Sequence, residues 1–241
     1  MTERSVEFSH YLGTRFNVPN SEWTKTRDGK SIDEIWLKNR IELFKNYCLP
    51  SVLNQSNKNF EWIIFADVNT LDAYKEEIIS LCNWEFIHIL WVSDFKEIEP
   101  SFLDYIQSKT ESGFVITTRI DNDDLVHKNF IDQIQKQFRP EHQIAIDFPN
   151  GFQMNLKNNL VYKHTARSNH FISLIASIQS LNETVYSRDH TTWKHRVKVT
   201  SPKKRLWVEL VHDDNMANTI SDSIWKRRLL NYHNYGIKSG D

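Results

Sequence analysis

Residues 114–124 read F-V-I-T-T-R-I-D-N-D-D, a β-branched and aromatic run that turns abruptly acidic. The first half has the length and side chains of a buried strand. The second half crowds Asp121, Asp123 and Asp124 around Asn122. Each carboxylate repels its neighbours unless it is solvated or neutralised. A divalent cation that favours hard oxygen ligands, Mg²⁺, Mn²⁺ or Ca²⁺, neutralises such a knot well. The carboxyl end of a strand is also where open α/β sheets gather their ligands. A structural reading stands beside this one: Asp124 caps a helix over residues 126–138. An EF-hand is excluded, because its loop needs an oxygen ligand where Leu125 stands and glycine where Val126 stands.

Outward from the knot, strands and helices alternate. Residues 6–16 read as a first strand that ends in Thr14, Arg15, Phe16 and Asn17. Residues 18–30 are polar and turn-rich, a loop over the sheet edge. Ser31-x-x-Glu34 is a capping box for a helix with Ile35, Trp36, Leu43, Phe44 and Tyr47 at helical spacing. Arg40 lies on this helix, and Pro50 ends or kinks it. F-E-W-I-I-F-A at 60–66 is a second buried strand, and it also ends in a carboxylate, Asp67. Thr70 or Asp72 caps a helix running to Cys82. Residues 86–92, 114–120 and 143–148 are further strands, with a helix at 100–112. This alternation predicts a mainly parallel sheet flanked by helices on both faces. After Pro149 the pattern changes. Residues 152–156 and 160–163 flank Lys157-Asn158-Asn159 as a hairpin, and 184–186 and 206–211 are short strands. The last third reads as a C-terminal α+β annex on the same sheet, within a single domain spanning 1–241. The tail 224–237, with Lys226, Arg227 and Arg228, is expected as a helix packed on the body; its basic amphipathic pattern also suits a membrane surface.

Composition narrows the classes. With 241 residues, 39% of them hydrophobic, the chain can bury a sizeable core in one domain. A net charge of -1 supplies no global field to attract nucleic acid. Cys48 and Cys82 are the only cysteines and lie in apolar stretches, which fits a reduced cytoplasmic setting. The first residues lack the apolar run of a signal peptide, and no stretch is apolar enough to span a bilayer. The expected location is cytoplasmic, with peripheral contact to the inner face of the membrane. Only 6 glycines occur, with no G-x-G-x-x-G and no G-K-[ST], so dinucleotide-binding and P-loop classes lose their main support.

Several pieces together resemble a known family. F-A-D-V-N-T-L-D after the second strand and R-I-D-N-D-D after the fourth pair as they do in nucleotide-sugar glycosyltransferases of the GT-A fold. H-Y-L-G-T-R-F-N, W-L-K-N-R-I-E-L-F-K-N-Y-C-L-P-S-V-L-N-Q, F-E-W-I-I-F-A-D and W-V-E-L-V-H-D-D-N are similar, in this order, to the rhamnosyltransferase family. The resemblance runs from about His10 to Asn215. It implies a GT-A-like α/β fold, a nucleotide-sugar donor and Mn²⁺ or Mg²⁺. It implies that Asp67 contacts the donor's base or ribose, and that Asp121 and Asp123 hold the metal against the donor diphosphate. It implies that Thr14 and Arg15 reach the nucleotide, and that His212 is a third metal ligand. No Gly and Lys follow His212 at the spacing of the retaining enzymes with such a histidine. Residues 1–149 then form the nucleotide-sugar half and 150–241 the acceptor-side half.

The chemistry of glycosyl transfer asks for further groups. The leaving diphosphate needs charge stabilisation, and Arg15, Arg40 or Arg119 can offer bidentate contacts to phosphate. Arg119 has an equal structural reading, an ion pair with the acidic knot. An inverting reaction needs a base for the acceptor hydroxyl, and Arg188-Asp189-His190 offers a carboxylate and an imidazole. Asp189 is the first choice, with His190 orienting the loop or meeting a phosphate. The acceptor can be a glycan, a lipid-linked glycan or another hydroxyl compound, modified nucleic acid included. Two other functions fit the same residues: a nucleotidyl- or phosphotransferase using the same acid and metal, or a non-catalytic carbohydrate-binding protein of the same fold.

Overall fold

A computed structural model describes residues 8–20, 33–195, 197–200, 204–215, 219–220, 227–228 and 230–237. Four strands form the parallel heart of the molecule: β1 (Phe8–Arg15), β2 (Glu61–Asp67), β3 (Ile87–Val92) and β4 (Phe114–Arg119). Their order is β3-β2-β1-β4, so the chain adds strands to one side of β1 and then returns to its other side. Such a reversal opens a crevice at the carboxyl ends of the two strands that flank it, here β1 and β4. Side-chain alternation supplies both faces of the sheet. Leu12, Trp62, Ile64 and Ile116 pack with α1 (Glu34–Leu43), α2 (Leu49–Leu53), α3 (Asp72–Leu81) and α5 (Phe130–Gln135). Tyr11, Ile63, Phe65 and Val115 face the other way, against Ile98, Phe102 and Ile106 of α4 (Ile98–Lys109).

Beyond β4 the sheet continues with β9 (Ser173–Ser177), antiparallel to β4, then β6 (Ile144–Asp147) and β10 (Val197–Thr200). A hydrogen-bonded line crosses its middle: His10 Nε2 to Thr118 Oγ1 at 2.8 Å, and Thr118 Oγ1 to Ser173 Oγ at 2.7 Å. The annex strands expected at 152–156, 160–163 and 206–211 are not on this sheet. They belong to a second sheet, ordered β12 (Arg227–Arg228), β8 (Leu160–Thr165), β7 (Asn150–Asn155), β11 (Trp207–Val211) and β5 (Leu125–Val126). The two sheets exchange strands across position 149, since β5 belongs to the second and β9 and β10 to the first.

Four local expectations need correction. Asp124 caps no helix: Leu125 and Val126 pair antiparallel with Val208 and Trp207 of β11, and α5 starts only at Phe130. A two-residue strand has no periodicity of its own, so its pairing partner decides it. Pro50 does not end the first helix; a π-helical segment, Phe44–Cys48, precedes α2 and accommodates the proline at its first turn. The cap of α1 is Asp33, whose carboxylate accepts from the Ile35 and Trp36 amides, while Ser31 lies outside the described residues. Residues 184–186 form turns rather than a strand. Of the tail, residues 224–226 and 229 lie outside the described residues, and Tyr232–Tyr235 forms a 3₁₀ turn, with Tyr235 in the core of the second sheet.

Candidate active site

The knot sits where the two sheets meet. Phe16 N donates to Phe65 O and Ile120 N to Gly13 O, so the ends of β2, β1 and β4 remain stitched together past their last residues. Asn122 continues this joint by donating Nδ2 to Phe16 O at 2.8 Å. Because β5 runs antiparallel to β11, with Leu125 opposite Val208, the residues just before β5 lie along the rest of β11 toward its end. That pairing carries Asp123 and Asp124 to the vicinity of His212.

The three aspartates take different partners. Asp121 accepts from Arg119 Nη2 at 3.3 Å and keeps part of its surface in solvent. Burial opposes its ionisation, but Arg119, His170 and Arg15 together lower its pKa to about 2. Asp123 Oδ2 receives three donors: Arg40 Nη1, His212 Nε2 at 3.0 Å and Asn215 Nδ2 at 3.3 Å. Burial works against that carboxylate too, and Arg40 and His212 hold it below the usual range. Asp124 is fully buried and accepts from Leu210 N at 2.8 Å and His170 Nε2 at 2.6 Å. Burial lowers the pKa of His170, but its bond to Asp124 and the charge of Asp121 outweigh this and raise it to about 9. Without a cation the Asp124–His170 pair therefore shares a proton at neutral pH, and a bound cation would displace it.

His170 carries no motif that sequence reasoning could have used. Its loop is fixed by Asp147, at the end of β6, which accepts from Ser168 N at 2.8 Å and Asn169 Nδ2 at 3.0 Å. Asp147 is a third strand-end carboxylate, and that was the available signal. Oxygens of Asp121 and Asp124 and a ring nitrogen of His170 lie within 4.8 Å of one another. Two carboxylates and an imidazole fit a divalent ion such as Mn²⁺. Asp123 and His212, the other expected metal residues, bond to each other, and Arg40 pairs with the same Asp123 oxygen.

The remaining expected residues divide by what they touch. Thr14 is buried and accepts from Trp62 Nε1 at 2.8 Å, a bond within the core. Arg15 lies over the Phe95 ring at 5.2 Å and is close enough to feel Asp121, Arg119 and Arg40. Arg119 stacks on Tyr186 at 5.8 Å, and its Nε is buried without a partner. Arg40 lies over Trp36 at 4.9 Å, again with a buried, unpartnered Nε. Asp67 ends β2, two strand positions from β4, roughly 10 Å away at the usual strand spacing. Its carboxylate accepts from Asn69 N at 2.8 Å, and its own amide donates to Asn17. Asp189 caps its own 3₁₀ turn through Thr191 N at 2.9 Å, with its side chain 62% exposed. His190 is the member of the pair turned toward the site. Its ring stands edge-on to His170 at 6.1 Å, and its Nδ1 is buried, 3.8 Å from Asp189 Oδ2. Burial, then Arg119 and His170, push its pKa down to about 4, so it is neutral at ordinary pH.

The family described as "Putative rhamnosyl transferase" matches residues 6–223. The chain belongs to this family. The two-sheet α/β architecture is the GT-A-like one that its members' sequence resemblance implies. No curated protein matches the sequence. Among solved structures, the chain is similar to S. aureus TarS 1-349 in complex with UDP, at 11% identity and TM-score 0.47, covering 84% of this chain and 60% of that one. It is also similar to a "putative nucleotide-diphospho-sugar transferase" of Desulfovibrio desulfuricans G20, at 10% identity and TM-score 0.43, covering 89% and 84% of the two chains. The chain thus spans 60% of the length of the TarS fragment.

Proposed function

We propose that this chain transfers a sugar from a nucleotide-sugar donor to a hydroxyl acceptor, with a divalent cation beside Asp121. The observation that carries the reading is the ionised Asp121 between Arg119 and Arg15 at the crevice between β1 and β4. A leaving diphosphate needs charge opposite its developing negative oxygens, and fixed arginines supply it without reorganisation. When bound, Mn²⁺ or Mg²⁺ supplies Lewis-acid stabilisation of the same oxygens, with Asp121, Asp124 and His170 as its holders. Asp67 and Asn17 suit the ribose or base end of the donor, on the strand next to β1. His190, neutral and beside His170, can take the proton of the acceptor hydroxyl, with Asp189 facing its other nitrogen. Residues 1–149 supply most donor contacts in this scheme, and 150–241 most acceptor contacts.

The test is product analysis of nucleotide sugars incubated with the chain, with Mn²⁺ and with EDTA. Release of nucleoside diphosphate that EDTA stops supports the reading. Release of pyrophosphate or nucleoside monophosphate instead would mark a nucleotidyl- or phosphotransferase. No release from any donor, in the presence of glycan acceptors, contradicts enzymatic transfer.

A further inference from the structure

One carboxylate oxygen of Asp123 is already surrounded by donors. Arg40 Nη1, His212 Nε2 and Asn215 Nδ2 all converge on Asp123 Oδ2. The His212 ring is held there from its other side, where its Nδ1 accepts from Asp214 N at 3.2 Å. Asn215 fixes the same turn by accepting from His212 N at 2.7 Å. The Arg40 guanidinium is itself fixed on several sides. Besides Asp123 it donates to Asn122 Oδ1 at 3.3 Å and to Asp214 O at 3.2 Å, and the Trp36 indole covers one face. Arg40 is only 5% exposed and comes from the last turn of α1. A planar fork held this way matches a carboxylate and is always charged.

We propose that the guanidinium of Arg40 occupies the place of a cation between Asp123 and His212, so that the divalent ion of the proposed reaction is held without Asp123. The second half of this statement rests on the metal-dependent reading above; the first half does not. Asp123, His212 and Asn215 are then positioning residues for Arg40. The Nε–H of Arg40, buried and unpartnered, is left as the donor for an anionic oxygen of the ligand. The chain carries one built-in positive charge where a metal would otherwise be recruited from solution.

The experiment counts bound Mn²⁺ by electron paramagnetic resonance of the free ion, without nucleotide sugar, in the wild type, R40Q, D123N and R40Q/D123N. Removing the guanidinium leaves Asp123 as a buried carboxylate without its cationic fork, which favours a replacement cation. R40Q is expected to bind one Mn²⁺ more than the wild type, and adding D123N is expected to remove that extra ion. D123N alone is expected to keep the wild-type count, with affinity within threefold. R40Q binding no more than the wild type overturns the proposal. So does D123N alone losing a wild-type ion or weakening it tenfold. Circular dichroism checks that each variant is folded, and if R40Q is not, the D123N comparison decides. A wild type that binds no Mn²⁺ at all counts against the metal-dependent reading, while the R40Q comparison still decides the place of Arg40.

Discussion

At the scale of single residues, the site separates charges that sequence reading left together. Asp121 was legible because a strand-end carboxylate next to an arginine announces itself, and it is the aspartate with solvent access. Asp121→Asn is expected to lower transfer by about 100-fold or more, since it removes charge at the reacting end of the donor. Its thermal midpoint should stay near wild type, and a fall in activity only in step with unfolding would count against the role. The Asp189–His190 pair was legible as a pair but not in its division of labour. The first choice, Asp189, rested on chemistry alone, and the structure gives that carboxylate the cap of its own turn. His190→Gln is expected to slow transfer by about 100-fold and leave donor affinity unchanged, as loss of a general base does. Asp189→Asn should cost less than His190→Gln in the same rate measurement, and the reverse order would return the base to Asp189. His170 was not legible, because only the fold of the Asp147–Asn169 loop brings it to Asp124.

At the scale of elements, the long periodic strands were readable and the short ones were not. β2 and β4 declare themselves by consecutive β-branched and aromatic residues, whereas β5 is two residues whose strand state comes entirely from β11. β9 escaped because its neighbours in sequence give no turn or period, yet it is the antiparallel member that seals the main sheet. That sealing line makes a pH prediction. His10 is buried under it, and burial alone depresses its pKa to about 3. Its unfolded form, with an ordinary pKa near 6.5, binds the proton more readily, so acid favours unfolding. Stability is full above about pH 6.5 and falls as the pH drops toward 3. Between pH 7 and pH 5 this one group is expected to cost about 2 kcal/mol, read as the difference between wild type and His10→Gln in urea unfolding. Equal pH dependence in both proteins would refute it. In the second sheet, Gly151 of β7 lies directly under the Trp207 indole. Gly151→Ala forces that ring to move within a packed core and is expected to destabilise by about 1–3 kcal/mol, visible in the same unfolding experiment.

At the scale of the whole molecule, two sheets meet at one acidic joint. The first brings Arg15, Asp67 and Asp121 to the ends of neighbouring parallel strands. The second brings His212 and Asn215 across from β11 and steadies Arg40 through Asp123. Class and family were legible because strand–helix alternation fixes the parallel half and the acidic signatures fall at its strand ends. Of the second sheet the β7–β8 hairpin was legible, but its union with β5, β11 and β12 was not, because no local signal states that these separated stretches pair. Among the described residues no helix is long and apolar enough to cross a membrane. The central claim is that this joint binds a nucleotide-sugar donor with a divalent cation. It is tested most directly by thermal unfolding of the wild type and D121N against a panel of nucleotide sugars, each with and without Mn²⁺. A ligand that binds only the native state raises the midpoint by mass action. The account predicts that at least one nucleotide sugar raises the wild-type midpoint, that Mn²⁺ enlarges the shift, and that D121N loses the Mn²⁺-dependent part. No shift with any donor, or an equal shift in D121N with and without Mn²⁺, would contradict it.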